Sequence, residues 1–276
     1  MNQKIERPVS TTLSDCFGLS PTALKYLARR GLRDLFGLAD GDEWYRRGAS
    51  LWEGEHYKEA VNCFARGLRL DPNHPALQFY LGLAYYNGVG VPRADHARAV
   101  GWWCRAAEQG CAQAQNNLGH AYEQGDGVER DYNKAAYWYR KAARENHLTG
   151  QFNLAVLYEV GRGVAQDLTQ AAEWYRRAAE QGHAPAQYNL GVLLRLGLGV
   201  EQNLAQAAWW YRKAAHQKYA LAQFNLAAMY ERGEGVSANL ASAAFWYHQA
   251  IENGEESARQ ALAETLKKLG THRRQF

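Results

Sequence analysis

Residues 112–147, AQAQNNLGHAYEQGDGVERDYNKAAYWYRKAARENH, recur as near-copies through the middle of the chain, and this periodicity constrains the fold more than any other feature. Five long units follow one another at 75–111, 112–147, 148–183, 184–219 and 220–255. All span 36 residues except the first, which carries one extra residue around Pro92–Asp95. A tandem repeat at this period implies supersecondary units that bury their apolar faces against neighbours, so length counts units rather than domains.

Within one unit the spacing predicts two helices. Ala114, Leu118, Ala121 and Tyr122 fall at intervals of three and four, which is the apolar stripe of a first helix. Gly119 beside Leu118 leaves room for a close helix partner, and Gly125 supplies a left-handed exit. Gly127 frees the next bend and Val128 plugs back into the core. Asp131 is placed to cap the second helix, as are Asp95, Asp167, Asn203 and Asn239 in the other units. Small residues Ala135, Ala136, Ala142 and Ala143 surround Trp138 and Tyr139, an apolar arc broad enough to be covered from two sides. The column Trp102, Trp138, Trp174, Trp210 and Trp246 reads as core.

The repeated signature is Leu-Gly/Ala, Tyr, Gly-x-Gly-Val, Ala-Ala/Val-x-Trp-Tyr/Trp and a closing Ala-Ala/Ile. It resembles the Sel-one-like repeat (SLR), a relative of the tetratricopeptide repeat (TPR) with a longer turn. The resemblance implies an all-α, right-handed α-solenoid of helix-turn-helix repeats, used as a non-enzymatic adaptor or scaffold. Residues 41–74 place Trp44, Gly48, Leu51, Ala60, Phe64, Gly67 and Pro72 at TPR-like offsets, with helices expected over 44–53 and 56–70. The expected organisation is a lead-in with a capping helix over 1–40, a TPR-like repeat over 41–74, five SLR units over 75–255, and a capping helix with tail over 256–276. Ser20-Pro21 starts the first capping helix, with Leu24, Leu27, Leu32 and Leu35 at helical spacing. The closing helix begins in 256–266, and Thr271 to Phe276 form the tail.

Charge narrows the class of partner. The net charge of +4 sits at the ends: residues 1–40 hold six Lys/Arg against four Asp/Glu, and 256–276 hold five against two. The long middle is therefore close to neutral, which disfavours a nucleic-acid groove. Attachment of a solenoid spacer to an anionic membrane or nucleic acid through the basic ends stays open as the alternative. The start has no signal-peptide core and no apolar run reaches the length of a membrane span, so a cytoplasmic chain is expected. Cys16, Cys63, Cys104 and Cys111 show no disulfide framework. On one helix Cys104 and Cys111 stand roughly 10 Å apart, beyond bridging distance.

No catalytic, cofactor or metal constellation emerges. The Gly-x-Gly-Val turns join two helices rather than a strand and a helix, unlike phosphate loops. His147 and His183 lie one repeat apart, roughly 10 Å, and read as surface histidines too distant to share a metal ion. A cysteine-rich branch of the resembled family is linked to β-lactam binding, but its paired cysteines correspond here to Ala107 with Gln115 and Ala143 with Gln151. Amide columns at Gln78, Gln115, Gln151, Gln187 and Gln223, and at Asn117, Asn153, Asn189 and Asn225, are expected to bond backbone or one another along the stack.

Function is sought where the repeats differ. On the first-helix face that lines the concave groove of TPR-like solenoids stand Phe79, Leu83 and Tyr86, then Asn116, His120 and Glu123. Next come Phe152, Val156 and Glu159, then Tyr188, Val192 and Arg195, then Phe224, Ala228 and Glu231. This aromatic ladder, with a glutamate line broken by Arg195, suits a peptide segment of another protein bearing apolar anchors and basic residues. The competing reading is that the rings only pack between neighbouring helices. No small-molecule substrate or cofactor is expected.

Overall fold

The structure, a computed structural model, describes residues 40–272. The expected N-terminal capping helix, Cys16 and the last four residues of the tail lie outside them. The described residues form thirteen helices and no strands. The chain divides into two compact units, residues 1–94 and 95–276, with the division inside the first long repeat.

In the first unit, α1 (Gly41–Glu53), α2 (Tyr57–Leu70) and α3 (Pro75–Asn87) follow one another. The two TPR-like glycines set the spacing. A Cβ on Gly48 would overlap the Phe64 ring, and one on Gly67 would lie 2.5 Å from Leu77 Cδ1 and 3.0 Å from Trp44 Cβ. Trp52, Phe64 and Tyr80 close the space, with ring centroids of Trp52 and Phe64 5.5 and 5.0 Å from Tyr80.

The second unit contains α4 (His96–Glu108), α5 (Ala112–Gln124), α6 (Tyr132–Arg144), α7 (Leu148–Val160) and α8 (Leu168–Glu180). It continues with α9 (Ala184–Leu196), α10 (Leu204–His216), α11 (Ala220–Arg232), α12 (Leu240–Glu252) and α13 (Ala258–His272). Each helix packs on the next in chain order, as nearest-neighbour stacking requires. The closing helix reaches His272, so Thr271 and His272 belong to it rather than to a tail.

The expected caps form. Asp131 accepts from Lys134 N at 3.0 Å, and Asp95, Asp167, Asn203 and Asn239 each accept from the backbone N three residues on at 2.9 Å. Gly125 ends α5 in the left-handed region, with φ 82°. The second glycine of the turn does more than bend the chain. A Cβ on Gly127, Gly163, Gly199 or Gly235 would collide with the backbone at the start of the preceding repeat's second helix. The turn is therefore a contact between repeats.

The core is laid down in columns. Leu118, Leu154, Leu190 and Leu226 are fully buried, as are Ala135, Ala142, Ala171, Ala178, Ala207 and Ala214 of the second helices and Tyr139, Tyr175 and Tyr211. Gly119 and Gly191 admit the tyrosine rings: an added Cβ would stand 2.6 Å from Tyr139 and 2.7 Å from Tyr211. Here the structure departs from the expected tryptophan core. Trp174 and Trp210 are buried, but Trp102, Trp138 and Trp246 are only half-buried. A cation three residues on covers four of the five, with Arg105, Lys141, Arg177 and Lys213 lying 4.7, 5.4, 4.4 and 5.4 Å from the Trp102, Trp138, Trp174 and Trp210 ring centres. One residue along a helix is a turn of about 100°, enough to put the tyrosine at the core and the tryptophan at its edge.

Candidate interaction surface

The expected groove residues from Asn116 to Glu231 sit on the first helices of the second unit, α5, α7, α9 and α11. Phe152, Tyr188 and Phe224 are half-buried. Phe152 meets Tyr175 and His183 at 5.8 and 4.7 Å, and Tyr188 meets Tyr211 and Tyr219 at 5.8 and 5.4 Å. Phe224 meets Tyr247 at 5.5 Å. The rings therefore pack against second-helix tyrosines while keeping part of their surface open. Val156, Val192 and Ala228 are half-buried beside them. In the unit led by α5 the corresponding residues are polar. His120 is exposed, and Asn116 is half-buried and accepts from Asn153 Nδ2 at 3.2 Å. Phe79, Leu83 and Tyr86, all half-buried, belong to α3 of the first unit.

The glutamate line has a structural job that spacing alone did not reveal. Tyr139 Oη donates to Glu123 at 2.8 Å, Tyr175 Oη donates to Glu159, and Tyr247 Oη donates to Glu231 at 3.0 Å. Each half-buried carboxylate thus serves the hydroxyl of a buried ring. Burial first, and the adjoining carboxylate second, raise all three phenols above their ordinary range. Burial alone would raise Glu231, but bonds from Lys268 Nζ of α13, at 2.7 Å, and from Tyr247 lower it.

Arg195 breaks this pattern. It occupies the glutamate position beside Tyr211, whose hydroxyl and the Arg195 Nε are both buried without a hydrogen-bond partner. Burial pushes Tyr211 up to about 12, with Arg195 working in the opposite direction.

Five tandem matches to the Sel1 repeat cover residues 75–111, 112–147, 149–183, 184–219 and 220–255. The chain belongs to the Sel1 repeat family. It is similar to c5321, a protective antigen present in uropathogenic Escherichia coli strains that displays an SLR fold, at 34% identity and a TM-score of 0.78. That match covers 91% of this chain but 52% of the antigen, so the chain spans about half the length of that relative. A Sel1 repeat protein from Oxalobacter formigenes is 32% identical with a TM-score of 0.72, over 79% of this chain and 86% of that one. A structure of the APC/C hetero-tetramer Cut9–Hcn1, 16% identical with a TM-score of 0.54 over 87% of this chain and 45% of that one, shares the fold. The fold class is the SLR solenoid.

The rest of the Sel1 frame explains residues that could pass for sites. Gln115, Gln151, Gln187 and Gln223 each donate to the carbonyl eight residues back, at 3.0–3.4 Å, which ties a first helix to the preceding second helix. Their oxygens accept from Gln181, Gln217 and Asn253 in three repeats, at 2.7–3.1 Å. In the fourth, the donor position is Glu145, and Gln115 Oε1 is left buried without a partner. Glu145→Gln is expected to supply that donor and stabilise the chain by about 1 kcal/mol, measured as a higher midpoint in urea. No gain would mean that the oxygen is already satisfied.

His147 and His183 are not idle surface groups. Their Nδ1 atoms cap α7 and α9, accepting from Gly150 N at 3.1 Å and Ala186 N at 3.3 Å. Burial lowers both pKa values. The unfolded chain therefore takes up protons first as pH falls, and stability present above about 6.5 is lost below it. Thermal midpoints should drop between pH 7.5 and 5.5, and less so in His147→Asn/His183→Asn, since asparagine caps without titrating. Equal drops would remove the histidines as the cause. Among the described residues no group of three His, Cys, Asp or Glu side chains could hold a metal. Cys63, Cys104 and Cys111 are free thiols.

A further surface escaped the sequence reading. The position before the tryptophan column carries exposed Tyr137, Trp209 and Phe245, at 48, 46 and 55% exposure. Each ring meets the next residue's indole edge-on, and Lys213 Nζ lies 4.0 Å above Trp209. Variation at this position (Gly101, Tyr137, Glu173, Trp209, Phe245) was the available signal.

Proposed function

We propose that this Sel1 repeat chain is a non-enzymatic scaffold that binds a segment of another protein along the concave, first-helix face of residues 112–255. Solenoids of this class commonly serve as protein-interaction scaffolds. The observation that supports the reading here is the contrast within each repeat. Caps, turn glycines, leucines and tyrosines recur and are consumed by folding, whereas Asn116 and His120, Phe152 and Val156, Tyr188 and Val192, and Phe224 differ and keep open surface. Half-sunk rings are pre-ordered anchors, because their rotamers are held before a partner arrives. The unbridged cysteines fit a reducing compartment such as the cytoplasm.

The exposed Tyr137, Trp209 and Phe245 favour a second reading, docking on the second-helix face. A photo-crosslinking residue placed singly at His120, Val156 or Val192, and separately at Tyr137, Trp209 or Phe245, separates the two in cells that make the protein. Adducts to one partner from the first set support the groove. Adducts confined to the second set transfer the function to the other face.

A further inference from the structure

Three of the four repeats in 112–255 satisfy the buried tyrosine hydroxyl with a glutamate one helix away: Glu123 for Tyr139, Glu159 for Tyr175 and Glu231 for Tyr247. The fourth presents a donor where the acceptor belongs. Tyr211 is fully buried; the Arg195 and Asn225 side chains approach its hydroxyl as donors, but neither the hydroxyl nor the Arg195 Nε makes a hydrogen bond of good geometry. Arg195 itself is half-buried, on the same face as Tyr188, Val192 and Phe224. Leaving two buried donors unsatisfied is a stability cost that a folding role does not explain.

We propose that this position is a carboxylate-recognition site, and that a bound partner's Asp or Glu side chain supplies in trans the carboxylate that the other repeats carry in cis. A guanidinium fork matches a carboxylate in two-pronged geometry. A small swing of the Arg195 side chain would admit it to both Nε and the Tyr211 hydroxyl. The half-open rings of Tyr188, about two turns back on the same helix, and of its counterpart Phe224 on α11 offer apolar anchors. Glu159, one repeat before, repels a second acidic residue, whereas Glu231, one repeat after, is paired with Lys268, so the segment read here has one carboxylate with neutral or basic residues on the Glu159 side. This deepens the scaffold reading and rests on the first-helix face being the docking surface.

The test uses the full chain and pools of N-acetylated, C-amidated nonapeptides with random flanks and a fixed central Glu, Gln or Lys, read by fluorescence anisotropy. The Glu pool should bind about tenfold more tightly than the Gln pool, the loss typical of one charge-assisted contact. Arg195→Glu should abolish that preference while raising the thermal midpoint of the free chain, because Tyr211 regains its acceptor. Tyr211→Phe should fold and weaken the Glu pool selectively. Equal binding of the three pools, reduced together in a folded Phe152→Ala/Tyr188→Ala variant, would overturn the carboxylate site and leave the groove standing. A Gln pool with a free C-terminus that matches the amidated Glu pool would overturn the side-chain assignment. Binding by no pool, or binding indifferent to every first-helix variant, would overturn both the site and the groove.

Discussion

Tyr175→Ala is expected to cost about 3–5 kcal/mol, far more than the same truncation at Trp138. Tyr175 is fully buried, its ring lies against Phe152, and its hydroxyl donates to Glu159. Truncation opens a cavity between α7 and α8 and strips a half-buried carboxylate of its donor. Trp138 is half-buried under Lys141, and water replaces part of what Trp138→Ala removes. About 1–2 kcal/mol is expected there, the lower range for partly exposed side chains. Because each repeat leans only on its neighbours, the Tyr175 variant should also lose cooperativity, with units before and after the cavity unfolding at separate midpoints. Urea unfolding followed by circular dichroism measures both quantities. Equal losses at the two positions would make tryptophan, not tyrosine, the core column.

The second large effect belongs to a turn. Gly163→Ala is expected to cost about 2–4 kcal/mol, from roughly 1 kcal/mol of left-handed strain plus the penalty of overpacking. The φ of Gly163 is 66°, and an added Cβ would fall on the carbonyl of Tyr132 at the start of α6, where neither backbone can yield. Gly182 separates the effects: its φ is 94°, yet an added Cβ meets nothing within 4 Å. Gly182→Ala should therefore lose only the strain, about 1 kcal/mol. If the two substitutions cost the same, the turn glycine is needed for its dihedral alone and does not mediate packing between repeats.

The parts of the fold legible in the sequence are those governed by local rules. A glycine after a periodic stripe and an Asp or Asn before the next one specify helix ends by short-range hydrogen bonds, and Asp95, Asp131, Asp167, Asn203 and Asn239 all formed the expected caps. The choice between two adjacent aromatic columns was not local. It depends on which side of the second helix meets the next repeat; the tyrosine column lies on that side, where Glu123, Glu159 and Glu231 reach three of its hydroxyls. That pairing spans 16 residues and two helices. The histidine caps were missed for a similar reason. Nδ1 of His147 replaces a side-chain oxygen in a role usually filled by Ser, Thr, Asp or Asn. The variable first-helix positions could be named from alignment of the repeats with one another. That Arg195 leaves a buried hydroxyl unserved required the geometry.

On the proposed reading, the repeated columns are scaffold and the unrepeated first-helix positions select the partner. Its most direct test is a face exchange in residues 112–147. Asn116→Phe with His120→Val gives this unit the face of the next one, while every cap, glycine and core residue stays in place. Affinity for the partner captured by first-helix crosslinking is then measured beside the thermal midpoint. The expected result is a folded chain with its midpoint nearly unchanged and affinity lowered at least about tenfold, the loss of one good contact. A folded chain that binds the partner as tightly as before would contradict it.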